Sequence, residues 1–143
     1  GELTDKLPLS PVYRVEEDHL VVSTDAVFVF GTGRIGREGE ERLHALVAAL
    51  RAALDVLPKD ASWRFRVEGH TDKRPIRTLK QFETNWELSS ARAVAMLRLL
   101  ERKGFEGGRL MASGLAATRL LDTGDGKAAH RKNRRIEIHL LLD

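Results

Sequence analysis

The chain contains no cysteine among its 143 residues. Disulfides, thiolate nucleophiles and cysteine metal sites are therefore excluded. Long apolar runs are also missing, since none approaches the roughly 18–20 residues that a helix needs to cross a bilayer. Aromatic residues make up only 6% of the sequence.

Neither sign of charge dominates, because 24 basic residues and 21 acidic residues leave a net charge of only +3. This balance permits contact with an anionic polymer but does not require it. A composition that is 42% hydrophobic and 31% charged is typical of one folded domain. We interpret residues 1–18, which are polar and contain two prolines, as a linker or irregular leading segment, and residues 19–143 as the domain.

Hydrophobic periodicity predicts an α/β (α+β) protein with a mixed sheet covered by two main helices. An i, i+3, i+4 pattern indicates the helices, and alternation or short apolar runs indicate the strands. A polar loop is predicted over 122–132. The predicted helices span 38–57 and 85–103, and the predicted strands span 20–22, 27–30, 63–68, 110–114 and 136–142.

Two opposite charges stand out on rigid predicted elements. Asp72 follows a strand directly, and Arg92 lies on the apolar stripe of a helix, four residues after Leu88. A buried guanidinium needs a paired anion. Asp72 could hold an ammonium and Arg92 could hold a carboxylate in a bidentate fork, so one zwitterionic head group would satisfy both. A structural salt bridge for Arg92 and a turn cap for Asp72 are the alternatives.

A glycine turn offers a second kind of site. Gly31-Thr32-Gly33-Arg34-Ile35-Gly36 matches the dinucleotide-binding pattern between a strand and a helix. Glutamates at the helix start would repel a pyrophosphate, and the chain is short for a doubly wound domain. A tight turn is the preferred interpretation, with nucleotide binding as the alternative.

Basic residues cluster over His130–Arg135. They could be a solvated loop before an edge strand, or one arginine could face inward and help Arg92 hold a carboxylate. A nucleic-acid patch is the third option, but aromatics are not interleaved with the charges. We therefore expect no nucleic-acid partner.

Catalysis is not expected from this sequence. The five histidines have no metal-ligand spacing, and no glycine-framed serine supports a nucleophile. We predict no enzymatic activity, no metal and no cofactor.

Three ordered motifs resemble the OmpA-like peptidoglycan-binding domain. They are Gly69-His70-Thr71-Asp72, then Asn85-x-x-Leu88-Ser89-x-x-Arg92-Ala93, then Asn133-Arg134-Arg135-Ile136-Glu137. The resemblance covers about Val27 to Leu142. The long loop between Asp72 and Arg92 is most similar to the MotB-type branch, the stator subunits of ion-driven motors.

The resemblance implies a βαβαβ(α)β fold and recognition of the diaminopimelate of the peptidoglycan stem. Asp72 would hold its ammonium and Arg92 its carboxylate. The other implied pocket residues are Thr71, Asn85, Leu88, one of Arg134 and Arg135, and the turn residues Phe30 and Gly33.

The resemblance also implies a setting. The chain starts at Gly1 rather than at methionine, so we interpret it as a processed or engineered fragment. The resemblance implies a periplasmic domain that an N-terminal helix, missing from this fragment, tethers to the inner membrane. Implied partners are peptidoglycan, a second copy in a homodimer and a membrane subunit of an ion-driven motor. A flagellar stator, an antiphage motor complex and another envelope protein all remain open as the anchored assembly.

Overall fold

The computed structural model describes residues 12–76 and 81–143, which form a five-stranded sheet and five α-helices. The strands are β1 (Tyr13–Val15), β2 (His19–Ser23), β3 (Trp63–His70), β4 (Leu110–Gly114) and β5 (Arg135–Leu142). The helices are α1 (Thr24–Val27), α2 (Arg37–Arg42), α3 (His44–Asp55), α4 (Asn85–Arg102) and α5 (Lys127–Asn133). No helix in these ranges is long and apolar enough to cross a membrane.

The sheet has the order β1-β2-β5-β3-β4 and is mixed, as the sequence predicts. β3 and β4 are parallel and are joined through α4, whereas the other neighbours are antiparallel. Because side chains alternate along a strand, β3 and β5 each send every second residue to the face that packs on α3 and α4. The largest completely buried apolar side chains of this core are Phe65, Leu43, Leu46, Met96, Leu99, Leu100, Ile136, Ile138, Val22 and Val67.

Helix α4 begins at Asn85, as the hydrophobic periodicity of the sequence predicts. Thr84 accepts a hydrogen bond from the backbone N–H of Trp86 at 3.1 Å, and its hydroxyl also contacts the carboxylate of Glu87. Thr84 and Glu87 thus have the residue types and the spacing of a capping box, with their side chains in contact. The helix buries a stripe that includes Leu88, Arg92 and Met96, so the predicted position of Arg92 is confirmed.

The predicted strand at 27–30 is wrong. Val27 instead ends the single turn of α1, and Phe28 makes only an isolated bridge to Ile35. Val27 and Phe28 are buried against the core from this turn. Tertiary packing therefore overrides the β propensity of the run.

Three other boundaries differ from the sequence pattern. The helix predicted over 38–57 is interrupted at the completely buried Leu43, which separates α2 from α3. Helix α5 replaces the second half of the predicted loop 122–132 and ends one residue beyond it, at Asn133. With seven residues, it is too short to show a helical period in the sequence. β1 lies inside the segment interpreted as a linker, and it is only three residues long. Residues 1–11 of that segment and 77–80 of the loop before α4 lie outside the described residues.

Candidate ligand-binding site

An open cavity of about 850 Å³ lies where β2 and β3 end and β5 begins. The start of α4 and the turn after α1 close its sides. Charged, polar and apolar side chains all reach it, which suits a ligand with a charged head group. Its lining residues are Thr24, Asp25, Phe28, Phe30, Gly31, Thr71, Asp72, Arg74, Pro75, Ile76, Asn85, Leu88, Arg92 and Arg134.

Arg92 is the most unusual of these residues, because its guanidinium is buried without an acidic partner. Only 7% of the residue is exposed, and among the described residues it makes no ion pair. Its Nε donates to the carbonyl of Thr32 at 3.0 Å, and its Cζ lies 5.5 Å from the centre of the Phe28 ring. Burial lowers the pKa of Arg92 to about 10, so it remains charged at neutral pH. A carboxylate entering the cavity would supply the missing anion.

The glycine turn positions Arg92 and is a tight turn, as preferred from the sequence. Gly31 has a φ of 72°, in the left-handed region where a side chain is disfavoured. The hydroxyl of Thr32 donates to Val29 at 2.8 Å and accepts from the N–H of Arg34 at 3.1 Å. Gly33 does not line the cavity. A Cβ at Gly33 would lie 3.1 Å from the Cβ of Ala91, so this glycine lets the turn approach α4 closely.

Asp72 faces the cavity but already accepts hydrogen bonds from two arginines. Arg74 donates its backbone N–H at 3.0 Å and its Nη2 at 2.7 Å, and Arg134 donates Nη1 at 2.8 Å. Burial opposes ionisation of Asp72, but these bonds outweigh it and hold its pKa below the usual value. The side chain of Arg74 is 59% exposed, whereas that of Asp72 is 9% exposed. Arg74 is therefore the partner that can leave most easily.

The structure separates the two adjacent arginines of the basic cluster. Arg134 turns into the cavity and also binds Asp25 through two bonds of 2.9 and 2.8 Å, which raise its pKa. Arg135 points to the other face of the sheet, where its Nε donates to Glu137 at 2.6 Å. Arg134 is the extended residue between α5 and β5, and Arg135 is the first residue of β5. Because successive residues of an extended chain face opposite sides, only one of the pair can reach the ligand. The inclusion of Arg135 among the pocket residues is thus wrong.

The remaining predicted residues line the cavity. Thr71 donates its hydroxyl to the carbonyl of Asp72 at 2.9 Å, and Asn85 donates Nδ2 to the carbonyl of Arg74 at 3.0 Å. Leu88 is buried, whereas Phe30 is 97% exposed. A large aromatic ring left in water at the rim could cover a ligand that enters below it.

Seven of the nine predicted pocket residues line the cavity, and the other seven lining residues were not predicted from the sequence. Asp25 is the most important of the missed residues, since it pairs with Arg134 across 109 positions of sequence. No local signal marks it. Arg74 could have been suspected because it directly follows Asp72 and Lys73 in the loop.

Comparison with known proteins decides the family. The sequence profile of the OmpA family matches residues 27–134, which is most of the chain. The chain belongs to the OmpA family. Motility protein B of Escherichia coli (strain K12) is 34% identical over 155 aligned positions, covering 99% of this chain and 47% of that protein.

Solved structures of other proteins share the architecture. The cell wall anchor of the T6SS from Pseudomonas aeruginosa superposes with a TM-score of 0.77 at 29% identity, covering 92% of this chain and 89% of that chain. The periplasmic domain of Helicobacter pylori MotB (residues 97–256) gives a TM-score of 0.74 at 21% identity, covering 92% and 88%. The chain spans about half the length of the curated relatives it matches.

The two alternative sites are not favoured in an OmpA-family domain with this geometry. Gly36 precedes α2, a helix of only six residues. The carbonyl of Thr32 in the same turn accepts a hydrogen bond from Nε of Arg92. In the basic cluster, His130, Asn133 and Arg135 are buried, and the amide of Asn133 binds the backbone of Leu121 and Asp122. Too few of its charges are exposed to bind a nucleic-acid backbone.

Proposed function

We propose that this domain binds peptidoglycan without catalysis, through the diaminopimelate of the stem peptide. The bound group is the free end of diaminopimelate, which carries one ammonium and one carboxylate on the same carbon. Arg92 receives the carboxylate and Asp72 receives the ammonium. Membership of the OmpA family and the similarity to a cell wall anchor support wall binding in general.

The buried guanidinium of Arg92, which makes no ion pair with any described residue, carries the proposal. An uncompensated buried charge is costly, and proteins keep one where a ligand supplies the counter-charge. Because Nε is bonded to Thr32, the terminal nitrogens of Arg92 remain for a carboxylate. The ring of Phe28 beside the guanidinium limits the directions from which an anion can approach.

Binding of the ammonium requires a rearrangement at Asp72. The carboxylate of Asp72 is bonded to Arg74 and Arg134, so a new cation must replace one of them. Arg134 is also held by Asp25, whereas Arg74 makes its side-chain bonds to Asp72 alone among the described residues. We therefore assign Arg74 as the residue that leaves.

The test is co-sedimentation with purified cell walls of two types. Walls whose stem peptide contains diaminopimelate should pellet the protein. Walls that contain lysine at the same position should not, because lysine has the ammonium but lacks the carboxylate for Arg92. Equal pelleting with both types would contradict the assignment of Arg92, and no pelleting with either would contradict wall binding itself.

Replacing Arg74 by glutamine should tighten binding. The substitution removes the competitor for Asp72, and an exposed ion pair is worth up to about 1 kcal/mol. The affinity for a diaminopimelate-containing stem peptide should therefore rise by up to about fivefold, as measured by calorimetric titration. Lys73→Gln is the matched control, since it removes the same charge from a neighbour that pairs with Thr123 and Asp125 instead. Weaker binding by Arg74→Gln would instead make Arg74 a ligand contact.

The wider setting follows from wall binding and from the similarity to Motility protein B. We propose that this domain lies in the periplasm and anchors a membrane-bound assembly of the ion-driven motor type to the wall. In this proposal the domain is tethered to the inner membrane, and it acts as a homodimer beside a membrane subunit. Cross-linking in cells that produce the full-length protein, followed by identification of the linked membrane subunit, tests this proposal. Retention at the wall without such a subunit would point to another envelope protein.

A further inference from the structure

The face of the sheet opposite α3 and α4 carries a repeated pattern that the peptide-binding cavity does not use. β3 contains Arg66-Val67-Glu68-Gly69-His70 and β5 contains Arg135-Ile136-Glu137-Ile138-His139. Both have the form Arg-x-Glu-x-His, so all six polar side chains point to the same face. The strands are antiparallel, and Glu68 lies directly opposite Glu137. Each histidine therefore lies opposite the arginine of the other strand, and the group has an approximate two-fold symmetry.

Two carboxylates in direct cross-strand register would repel each other without compensation. Each one receives a bond from the arginine of its own strand, Arg66 to Glu68 at 2.7 Å and Arg135 to Glu137 at 2.6 Å. Both bonds go to the Oε2 atoms. The arginines thus fix the orientation of the carboxylates, and each Oε1 atom is left for the histidine of its own strand, His70 for Glu68 and His139 for Glu137.

The Nε2 atoms of His70 and His139 both approach both carboxylates. His70 lies 3.3 Å from Glu68 and 3.9 Å from Glu137, and His139 lies 3.5 Å from Glu68 and 2.9 Å from Glu137. In a tetrahedral zinc site with ligands at the usual 2.0–2.1 Å, neighbouring ligand atoms are about 3.3–3.4 Å apart. The separations to the Oε1 atoms are 2.9, 3.3 and 3.5 Å, close to that value, whereas the 3.9 Å separation of His70 from Glu137 is to Oε2.

We propose that Glu68, His70, Glu137 and His139 form a binding site for a divalent transition-metal ion such as Zn²⁺. Imidazole and carboxylate ligands suit this class of ion. The arginine bonds supply the outer contacts that metal-binding carboxylates commonly have. The site is distinct from the cavity of Asp72 and Arg92 and does not rest on the proposed wall binding.

Burial supports the assignment of ligand atoms. The side chain of His70 is 2% exposed, and within residues 12–76 and 81–143 its Nδ1 has no partner, so Nε2 is the nitrogen directed at polar groups. His139 is stacked on His19 at 4.4 Å, which holds its ring, and its 16% exposure leaves an access path for an ion.

The linear spacing of the histidines predicts no metal site, and the strand register explains the difference. His70 and His139 are far apart in sequence, and only the pairing of β3 with β5 brings their Glu-x-His segments together. Within the described residues, the ligand atoms of Glu68, His70 and Glu137 lie within 4.8 Å of one another, and so do those of a second, more exposed group on the rim, Asp18, His19 and His139. His139 belongs to the rim group, but it also lies within 3.5 Å of both carboxylates of the inner group and completes it as the fourth ligand. The inner group is therefore the one we assign.

Titration of metal-free protein with Zn²⁺ in competition with a chromophoric chelator tests the proposal. We expect one ion per chain with a dissociation constant of about 10 µM or tighter. His139→Gln should weaken binding at least about tenfold. His44→Ala is the matched control, since it removes an exposed histidine of α3, and it should bind Zn²⁺ like wild type. Wild-type affinity in His139→Gln, or an equal loss in His44→Ala, would overturn the site.

A spectroscopic measurement on the unmodified protein keeps the test independent of folding in the variants. Co²⁺ in a tetrahedral site gives intense visible absorption bands, whereas Co²⁺ held by surface groups and water gives weak ones. Intense bands that saturate at one equivalent and disappear on addition of Zn²⁺ are expected. Weak bands, or bands that grow beyond one equivalent, would overturn the proposal.

Discussion

Replacing Arg92 by methionine should abolish binding to diaminopimelate-type walls without destabilising the fold. Methionine has a similar length but no charge, so the carboxylate of the ligand would enter a buried site with no partner. We expect a loss of about 3–5 kcal/mol in binding, which is at least about a hundredfold in affinity. Quantitative co-sedimentation over a range of wall concentrations measures it.

The stability of this variant separates a ligand-binding role from a structural one. Burial lowers the pKa of Arg92 to about 10, so keeping that charge costs on the order of 3 kcal/mol of folding free energy. Against this stands one hydrogen bond to Thr32, worth roughly 1.5–3 kcal/mol for a charged donor. Urea unfolding of Arg92→Met should therefore give a free energy within about 1 kcal/mol of wild type, or above it.

Arg98→Met is the matched control for Arg92→Met. It makes the same chemical change on the same helix, at an exposed position, and should leave both wall binding and stability near wild type. The contradicting outcome for Arg92→Met is a loss of several kcal/mol of stability together with normal binding by the molecules that remain folded. That result would make Arg92 a structural residue, the alternative that the sequence leaves open.

The part of the site that could be predicted from the sequence depends on local geometry. The helical wheel places Arg92 on the buried stripe from the spacing to Leu88 and Met96 alone, because α4 is long and regular. Asp72 follows a strand whose alternation is clear. For such elements the local pattern and the tertiary structure agree.

The part that could not be predicted depends on strand register and on short elements. The choice between Arg134 and Arg135 turns on where β5 begins, and one residue of difference reverses the face of every side chain. Asp25 lies in a single helical turn whose neighbours resemble a strand. The Arg-x-Glu-x-His repeat is visible in the sequence, but only antiparallel pairing with Glu68 opposite Glu137 makes it a cluster.

Replacing Gly69 by alanine should destabilise the protein strongly, because α4 lies directly on the backbone of β3 at this point. A Cβ at Gly69 would lie 2.1 Å from the carbonyl oxygen of Ser89 and 2.9 Å from its carbonyl carbon. Both are backbone atoms of a helix and cannot rotate away, so the helix and the strand must separate. We expect a loss of about 3 kcal/mol or more in the free energy of unfolding, measured by urea denaturation.

Gly108→Ala is the control for Gly69→Ala, since a Cβ at Gly108 meets nothing within 4 Å, and its stability should stay within about 0.5 kcal/mol of wild type. Gly69 also sets the spacing between the strand that leads to Asp72 and the helix that carries Arg92. Molecules of Gly69→Ala that remain folded at low temperature should therefore bind diaminopimelate walls more weakly, because the two charges no longer match one head group. Wild-type stability for Gly69→Ala would contradict the close contact of α4 with β3.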